Sequence, residues 1–335
     1  YFKSKIPSLP FLSNPIFVKK VVKLPLMRPF FSLYYYLLLP SELYFEKLDL
    51  MYFPNYMLPI IFRGKSLVIL TEDVYYEFKQ GTLPFRYKLA YKIFANWAAK
   101  HATKIMAISE TSKREVAKLF KINPDRIEVN PLGVDRLTSP ITNYKLQTIN
   151  YLLYVGQAFP RRHLRETLLA FEQVAPKFEN LKLIAIGKDK YNPPIIEELV
   201  KEVNGRLGRD AIIYKDYITE GELVTLYANA KLVIYVSSKE AFGLPPLEAL
   251  ACGSIPVVAL NNLTKEIFGQ APAGAAFFVE NPDDPHSIAE VISEGLTNAK
   301  KREEIRNLAS QILKKYTWSA HTERFIEIIR TVSKN

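Results

Sequence analysis

The sequence predicts an α/β protein with two domains, each built around a parallel sheet. Its 335 residues are enough for two domains of roughly 100–200 residues each. Hydrophobic residues make up 48% of the chain, so two sizeable cores can be buried. Short apolar runs alternate with helical patterns through the second part of the chain. Such alternation is typical of βαβ units and therefore of a parallel sheet.

The first part of the chain shows three strand-like runs and two helical patterns. The strands are predicted at 66–70, 104–109 and 126–130. Helical spacing predicts a helix over 86–101, with an apolar stripe formed by Leu89, Ile93, Trp97 and Ala98. Ser109 is expected to cap a second helix that runs through Phe120. A polar linker follows at about 136–148.

The second part alternates more regularly. Strands are predicted at 150–155, 181–186, 211–214, 232–236 and 255–259. Helices are predicted between them at about 164–176, 194–204, 220–229 and 245–252. The last stretch, 300–331, has helical spacing with a break near 316–318.

The net charge of +11 lies entirely in the first part of the chain. Residues 1–145 contain 22 basic residues (Lys and Arg) and 11 acidic residues (Asp and Glu), whereas residues 146–335 contain 23 basic and 23 acidic residues. A basic domain attracts an anionic partner such as nucleic acid, a lipid surface or a phosphorylated substrate. A solvated lysine-rich surface explains the same numbers. Cys252 is the only cysteine, which excludes an internal disulfide and gives no sign of an oxidising compartment.

The longest apolar run, residues 29–40, is too short to span a bilayer and is bounded by prolines. It follows the basic residues Lys19, Lys20, Lys23 and Arg28. Basic residues beside aromatic ones suit the surface of an anionic membrane, although a buried helix of the first domain has the same composition. We therefore expect a cytoplasmic protein, either free or held peripherally at the inner face of a membrane.

Two predicted strands of the second domain end in residues that suit phosphate binding. In open parallel sheets, ligands lie beyond the carboxyl ends of the strands. Gly156 follows one strand and lets a ligand approach the backbone, and Arg161 and Arg162 come shortly after it. Paired guanidinium groups offer planar forks of donors to a diphosphate, although they also fit a solvated helix start. Gly187 ends the next strand and is a weaker indication of ligand binding than Gly156 with its arginine pair.

The segment from Glu240 to Glu248 carries the clearest pattern. Gly243 and Leu244 stand at a predicted helix start, just before two prolines. Free backbone N–H groups and the positive end of the helix dipole make an anion site there. Glu248 can accept two hydrogen bonds from a ribose diol, and Glu240 can face the hydroxyl groups of a sugar. Each glutamate taken singly also reads as an ordinary surface residue.

Read as Glu240-Ala-Phe-Gly-Leu-Pro-Pro-Leu-Glu248, this segment resembles the retaining glycosyltransferases of family 4, the "group 1" glycosyl transferases. Further similar phrases are 107–112, 130–135, 154–156 with the arginine pair, and 281–285. The resemblance implies the GT-B fold, in which two Rossmann-like domains face each other across a cleft and a C-terminal helix crosses back. It divides the chain into 1–147 on the acceptor side, 148–316 for the nucleotide sugar, and the helix 317–335.

The resemblance also implies roles for particular residues. Glu248 would hold the ribose, Glu240 the donor sugar and Arg162 the diphosphate, assisted by the backbone of Phe242, Gly243 and Leu244. The reaction would transfer a hexose, mannose or glucose, from a GDP- or UDP-sugar to a glycan or lipid-linked acceptor, with retention of anomeric configuration. The nucleotide sugar is a substrate, so no cofactor is expected. The four histidines are scattered and no Asp-x-Asp occurs, so no metal is expected either.

The sequence departs from the family at two places. The family commonly has His-Asp after the strand placed at 66–70, whereas this chain has Glu72-Asp73. Glu72 and Asp73 are both expected on the acceptor side, Asp73 with a catalytic role, and Glu72 is the candidate substitute for the histidine that usually touches the donor sugar. Residues 1–60 lack the glycine-rich loop with which the family opens, and the chain starts at Tyr1. A truncated or divergent N-terminus is therefore expected.

Three other functions compete with this one. A nucleotide-sugar epimerase or a phosphorylase on a similar fold would use the same nucleotide site. A catalytically inactive partner subunit would fit the replacement of histidine by Glu72. A nucleic-acid-binding protein would use the net positive charge, but no nucleic-acid-binding motif occurs in the sequence, so no such partner is expected.

Overall fold

The structure is a computed structural model, and it describes residues 14–16, 18, 39–46, 48–73, 75–76, 85–134 and 150–334. Two parallel sheets organise these residues, one of four strands and one of six. Three predictions lie outside the described residues: the linker at 136–148, the domain boundary between residues 147 and 148, and the basic residues from 19 to 28. No described helix combines the length and the apolar character that crossing a bilayer requires.

The first domain contains a sheet with strands in the order β1-β2-β3-β4. These strands are β1 Met51–Phe53, β2 Ser66–Ile69, β3 Lys104–Ala107 and β4 Ile127–Val129. Its described helices are α1 Leu39–Phe45, α2 Phe85–His101 and α3 Glu110–Phe120. As predicted, Ser109 caps α3, since its hydroxyl accepts a hydrogen bond from the backbone N–H of Ser112.

The two faces of this sheet pack against different helices because side chains alternate along a strand. Val68 of β2 and its neighbour Ile105 of β3 belong to the core that α2 and α3 cover. Leu67 and Met106 point to the opposite face and pack against the C-terminal helix. The sheet is therefore buried on both sides, as parallel sheets usually are.

The second domain contains the larger sheet, in the order β10-β9-β8-β5-β6-β7. Its strands are β5 Tyr151–Val155, β6 Lys182–Ile186, β7 Ile212–Lys215, β8 Leu232–Tyr235, β9 Pro256–Ala259 and β10 Phe277–Val279. Its helices are α4 Leu164–Val174, α5 Ile196–Leu207, α6 Glu220–Asn229, α7 Leu244–Ala251, α8 Asn262–Phe268, α9 Pro285–Thr297 and α10 Ala299–Leu313. The five predicted strands are confirmed, and β10 is a sixth that the sequence analysis did not include.

The strand order of the second sheet reverses between β5 and β8. From β5 the chain continues outward through β6 and β7, and it then returns to β8 on the other side of β5. Helices that follow two strands at such a reversal lie on opposite faces of the sheet, which opens a crevice at the carboxyl ends. This crevice is the expected ligand position in the second domain.

Helix α2 buries mainly alanine side chains and exposes its aliphatic ones. Leu89 is 48% exposed and Ile93 is 44% exposed, so they do not form the buried face of the helix. The buried positions are Tyr91, Ala95, Ala98, Ala99 and the following Ala102. The predicted stripe is therefore wrong for its two aliphatic members, because alanines allow α2 to approach the sheet closely and the bulky residues face outward.

The C-terminal helix α11, Trp318–Lys334, crosses back to the first domain, as the GT-B fold requires. Its Ile328 and Val332 are buried against Leu67 and Met106 of the first sheet. Arg324 donates to the carboxylate of Glu128 at 2.8 Å. The predicted break before this helix is confirmed, since α10 ends at Leu313 and α11 begins at Trp318.

Candidate active site

The crevice at the carboxyl ends of β5 and β8 brings together the two segments that the sequence singled out. Gly156 directly follows β5, and residues 236–243 lead from β8 to helix α7. A short 3-10 turn at Pro160–Arg162 places the arginine pair beside the second segment. Arg162 and Glu240, which are 78 positions apart in sequence, come into contact because the strand order reverses here.

Arg162 and Glu240 form a two-point ion pair. The Nε of Arg162 donates to Oε1 of Glu240 at 2.5 Å, and its Nη2 donates to Oε2 at 3.2 Å. The hydroxyl of Ser237 donates to the same carboxylate at 3.0 Å, and Arg161 Nε lies 3.9 Å from it. The Glu240 side chain is only 9% exposed. Arg162, the residue predicted to contact the diphosphate, and Glu240, the residue predicted to contact the sugar, are thus bound to each other in this structure.

The charge balance around Glu240 favours its ionised form. Burial alone would raise the pKa of Glu240, but the hydrogen bond and the positive charge of Arg162, together with Arg161, hold it below the ordinary value. Arg161 and Arg162 both face Glu240, so the second-domain part of the cluster carries one net positive charge, which Asp73 of the first domain offsets when it is ionised. The two guanidinium groups offer hydrogen-bond donors that suit an anionic ligand.

Asp73 reaches this cluster from the first domain. Its Oδ1 accepts a hydrogen bond from the backbone N–H of Ala241 at 3.1 Å. Burial and the negative charge of Glu240 raise the pKa of Asp73 to about 6, although both arginines partly oppose the shift. Asp73 therefore lies at the boundary between the domains and can change protonation near neutral pH.

Glu72 lies in a different environment from its neighbour. It is 2% exposed, and the hydroxyl of Ser112 in α3 donates to its carboxylate at 2.5 Å. Burial raises the pKa of Glu72 to about 7, with Ser112 opposing the shift. The carboxylate is engaged with the first domain itself, and the predicted contact between Glu72 and the donor sugar stays a prediction.

The two candidate glycines have a shared packing role. Both have φ near +138°, a conformation that favours glycine. A Cβ on Gly187 would lie 2.0 Å from the carbonyl oxygen of Gly156, so the two strand ends touch through their backbones. A Cβ on Gly156 would lie 3.3 Å from Nη1 of Arg162. This close packing explains both glycines, and their contact with the donor stays a prediction.

The start of helix α7 offers donors without a side-chain cap. Gly243 precedes the helix with φ of +86°, and no side chain of the described residues accepts a hydrogen bond from its first turn. Leu244 is the first helical residue, and Phe242 is buried against Tyr316 with the ring centres 5.6 Å apart. Free N–H groups and the positive dipole end therefore favour an anion at this position.

Glu248 lies one turn further along α7 and is partly buried. The hydroxyl of Tyr227 donates to its Oε2 at 2.8 Å, and burial raises the pKa of Glu248 above the ordinary value. Its Oε1 has no hydrogen-bond partner among the described residues. The carboxylate is oriented by one hydroxyl and can accept another, as the predicted ribose contact requires.

Three functional features escaped the sequence analysis. Ser237 orients Glu240 through a hydrogen bond. Tyr235 packs against Arg162, whose guanidinium carbon lies 5.7 Å from the centre of the tyrosine ring. Ser109 was identified only as a helix cap, but its hydroxyl also donates to the carbonyl of Ala241 at 2.8 Å. Serine and tyrosine are frequent in any sequence, so only the fold reveals these contacts. No group of three or more His, Cys, Asp or Glu residues in the described part forms a metal-ligand cluster.

Comparison with known proteins connects this geometry to a family. The family described as "Glycosyl transferases group 1" matches residues 142–311, about half of the chain. The family described as "Glycosyltransferase Family 4" matches residues 7–136. Together the two matches cover both domains.

Curated relatives and solved structures agree with these matches. O-antigen chain mannosyltransferase B of Escherichia coli is 31% identical over 66% of this chain and 59% of its own length. The serotype-specific mannosyltransferase WbdA of Escherichia coli is 25% identical over 68% of this chain but only 29% of its own length. The chain thus spans less than two thirds of these relatives.

Two solved structures are similar in fold. Anabaena HepE in complex with UDP and glucose has a TM-score of 0.71 and 18% identity, covering 90% of this chain and 84% of the other. WaaG, a glycosyltransferase involved in lipopolysaccharide biosynthesis, has a TM-score of 0.65 and 19% identity, covering 85% and 80%. With both domains matched and its paired glutamates at the crevice of the second sheet, the chain belongs to the group 1 glycosyl transferases.

Proposed function

We propose that the protein transfers a hexose from a nucleoside-diphosphate sugar to a glycan or a lipid-linked acceptor. The observation that carries this proposal is the cluster of Arg161, Arg162 and Glu240 beside the uncapped start of α7. Such a site combines two guanidinium groups and the backbone N–H groups of the helix start for a diphosphate with a carboxylate for sugar hydroxyls. The carboxylate of Glu248 on the same helix supports a ribose contact.

In the proposed reaction, the bond between the sugar C1 and the diphosphate oxygen breaks while the acceptor oxygen bonds to C1. Negative charge develops on the leaving diphosphate, and Arg162 together with the N–H groups of Gly243 and Leu244 would stabilise it. Glu240 fixes the plane of the guanidinium and would accept a hydroxyl of the donor sugar. Asp73 stands on the acceptor side, where a pKa near 6 suits a group that receives a proton.

We further propose that transfer retains the anomeric configuration and needs no metal. The resemblance to family 4 supports retention, and the guanidinium cluster supplies the positive charge that a cation supplies elsewhere. Turnover should accordingly survive chelation with EDTA, and the product should have the anomeric configuration of the donor by NMR. Loss of activity on chelation, with recovery on adding Mg²⁺ or Mn²⁺, would contradict the metal-independent mechanism.

The relatives favour mannose as the sugar. Both Escherichia coli relatives are mannosyltransferases, one of the O-antigen chain and one serotype-specific, whereas HepE is a structural neighbour bound to UDP and glucose. We therefore expect activity with GDP-mannose above UDP-glucose. An epimerase would convert the donor without an acceptor, a phosphorylase would require phosphate, and an inactive partner subunit would turn over neither.

The decisive experiment incubates the protein with labelled GDP-mannose, UDP-glucose and ADP-glucose, with and without a membrane extract as the acceptor source. We expect label in the extract fraction with one donor, and no label with Glu240→Gln. Conversion of the donor alone into another nucleotide sugar would instead establish an epimerase. Absence of both transfer and donor hydrolysis with all three donors would refute the enzymatic function.

We also propose that the first domain rests on an anionic membrane surface through the outer face of helix α2. Phe85, Leu89 and Ile93 recur every four residues on this face, and all three are exposed. Lys92 and Lys100 lie on the same face and are also exposed. An apolar stripe flanked by lysines suits the boundary between headgroups and acyl chains. This arrangement would bring a lipid-linked acceptor to the first domain.

A further inference from the structure

Helix α8 of the second domain caps helix α3 of the first. The carboxylate of Glu266, in α8, accepts hydrogen bonds from the backbone N–H groups of Glu110 and Thr111, each at 2.8 Å. The hydroxyl of Thr111 donates to the same carboxylate at 2.6 Å. The guanidinium of Arg114 donates to that hydroxyl at 2.9 Å and lies 3.9 Å from Glu266.

This contact joins residues 155 positions apart, and it acts on a helix that already has its own cap. Ser109 accepts from Ser112 N–H, so the first domain itself satisfies one N–H group of the helix start. Glu266 satisfies the two N–H groups that Ser109 leaves, and its negative charge lies at the positive end of the helix dipole. The first domain thus presents an anion site, and the second domain fills it with its own carboxylate.

The same end of α3 touches the candidate sugar-binding segment. The hydroxyl of Ser109 donates to Ala241 O at 2.8 Å, and Asp73 accepts from Ala241 N–H at 3.1 Å. Both backbone groups of Ala241 are therefore held by the first domain, immediately after Glu240. Any movement of α3 away from the second domain would release Ala241 and disturb the carboxylate next to it.

We propose that Glu266 is a positioning residue for glycosyl transfer: by binding the start of α3, it holds Ser109 and Asp73 against Ala241 and so fixes Glu240. This inference rests on the proposed function. The hydrogen bonds of Glu266 come from Glu110 and Thr111 of α3, so it acts through the first domain. It should affect the rate of transfer and leave nucleotide binding intact, because the nucleotide residues belong to the second domain.

The test compares Glu266→Gln with the wild type. We expect kcat to fall about tenfold, while the Kd for GDP or UDP, measured by calorimetry without turnover, changes less than about twofold. Small-angle X-ray scattering should show a larger radius of gyration for the variant. Glu290→Gln is the matched control, since Glu290 is an exposed glutamate of the second domain that pairs only with His286 among the described residues.

Thr111→Val tests the same contact from the first domain and removes one donor without altering charge. We expect it to lower kcat as well, and the double variant with Glu266→Gln to lose less than the product of the two single losses. An unchanged kcat in both single variants, or an equal fall in nucleotide affinity, would overturn the positioning role. A wild-type protein that binds no nucleotide and transfers no sugar would instead refute the proposed function itself.

Discussion

At the scale of single residues, the site depends on one carboxylate shared between two arginines. Glu240 is buried and remains charged because Arg162 makes two hydrogen bonds to it. A buried ion pair of this kind contributes little to stability as a whole, but removing one partner leaves an uncompensated charge. Activity and stability can therefore be separated by changing one partner or both.

Arg162→Ala is expected to lower kcat by roughly 10²–10³, the usual effect of losing one donor that stabilises a developing negative charge. The variant should also lose roughly 1–3 kcal/mol of stability, because buried Glu240 loses two hydrogen bonds and keeps only Arg161 and Ser237 as neighbours. Adding Glu240→Ala should restore most of the stability and none of the activity. Steady-state kinetics and urea unfolding measure the two effects, with Arg165→Ala, an exposed neighbour, as the control.

The raised pKa of Glu72 predicts a pH-dependent stability. Between about pH 4.5 and 7 the folded protein keeps a proton on Glu72 that the unfolded chain has released. The free energy of unfolding therefore falls as the pH rises through this window. Glu72→Gln should be more stable than the wild type at pH 8, by up to roughly 3 kcal/mol, and equally stable at pH 4.

Urea unfolding at both pH values measures this difference. Glu303→Gln, at an exposed position, should show no such change. If Glu72→Gln changed the free energy of unfolding equally at pH 4 and pH 8, burial would not be the cause of the raised pKa of Glu72. The sequence analysis identified Glu72 by its place after a strand, but only the fold shows that Ser112 and the first-domain core surround it.

At the scale of elements, periodicity predicted most strands and helices but did not always predict which face is buried. The strands of the second sheet are short, mostly apolar and in most cases separated by helices, which leaves little ambiguity in their assignment. Strand β10 has three residues and was missed because so short a run carries no period. Helix α9 was also missed, although Asp284 and Pro285 are a cap and a first-turn proline that signal a helix start.

The exposed face of α2 leads to a prediction about membranes. Leu89→Glu combined with Ile93→Glu should weaken binding to vesicles of phosphatidylglycerol and phosphatidylcholine at least tenfold, because two apolar side chains no longer enter the lipid. Binding of the wild type should also weaken at high salt, since lysines contribute to it. Vesicle sedimentation measures both effects.

Tyr217→Glu serves as the control for this experiment, since Tyr217 is an exposed aromatic residue of the second domain. Circular dichroism should show unchanged helix content in all variants. Undiminished sedimentation of the α2 variant would refute the assignment of this face to the membrane. Wild-type protein that fails to sediment with vesicles would refute membrane attachment of the described domain altogether.

At the scale of the whole molecule, the architecture was predictable from a family resemblance, whereas the contacts between the domains were not. The crossing helix α11 and the two parallel sheets agree with the expected GT-B fold. The bonds of Glu266 and Ser109 across the domains join residues more than 130 positions apart. No local spacing encodes such a pairing, because it depends on how two finished domains meet.

Gly133→Ala tests the place where α11 leaves the second domain. A Cβ at Gly133 would lie 2.2 Å from the backbone nitrogen of Trp318 and 2.5 Å from the carbonyl carbon of Thr317. These are backbone atoms that cannot rotate away, so we expect a loss of roughly 1–3 kcal/mol in the free energy of unfolding. Gly205→Ala, in helix α5 with open space around it, should instead stabilise by about 0.5–1 kcal/mol. Urea unfolding compares the two, and equal effects would contradict the packing argument.

The bond between Val134 N–H and Tyr316 O, 2.8 Å long, joins the segment that leaves the first sheet to the segment that enters α11. The chain passes between the two domains through both of these segments, and this hydrogen bond joins the two passages. The ring of Tyr316 also rests on Phe242. A rotation of one domain against the other about this point would therefore also move the contact between Tyr316 and Phe242, the residue that precedes Gly243.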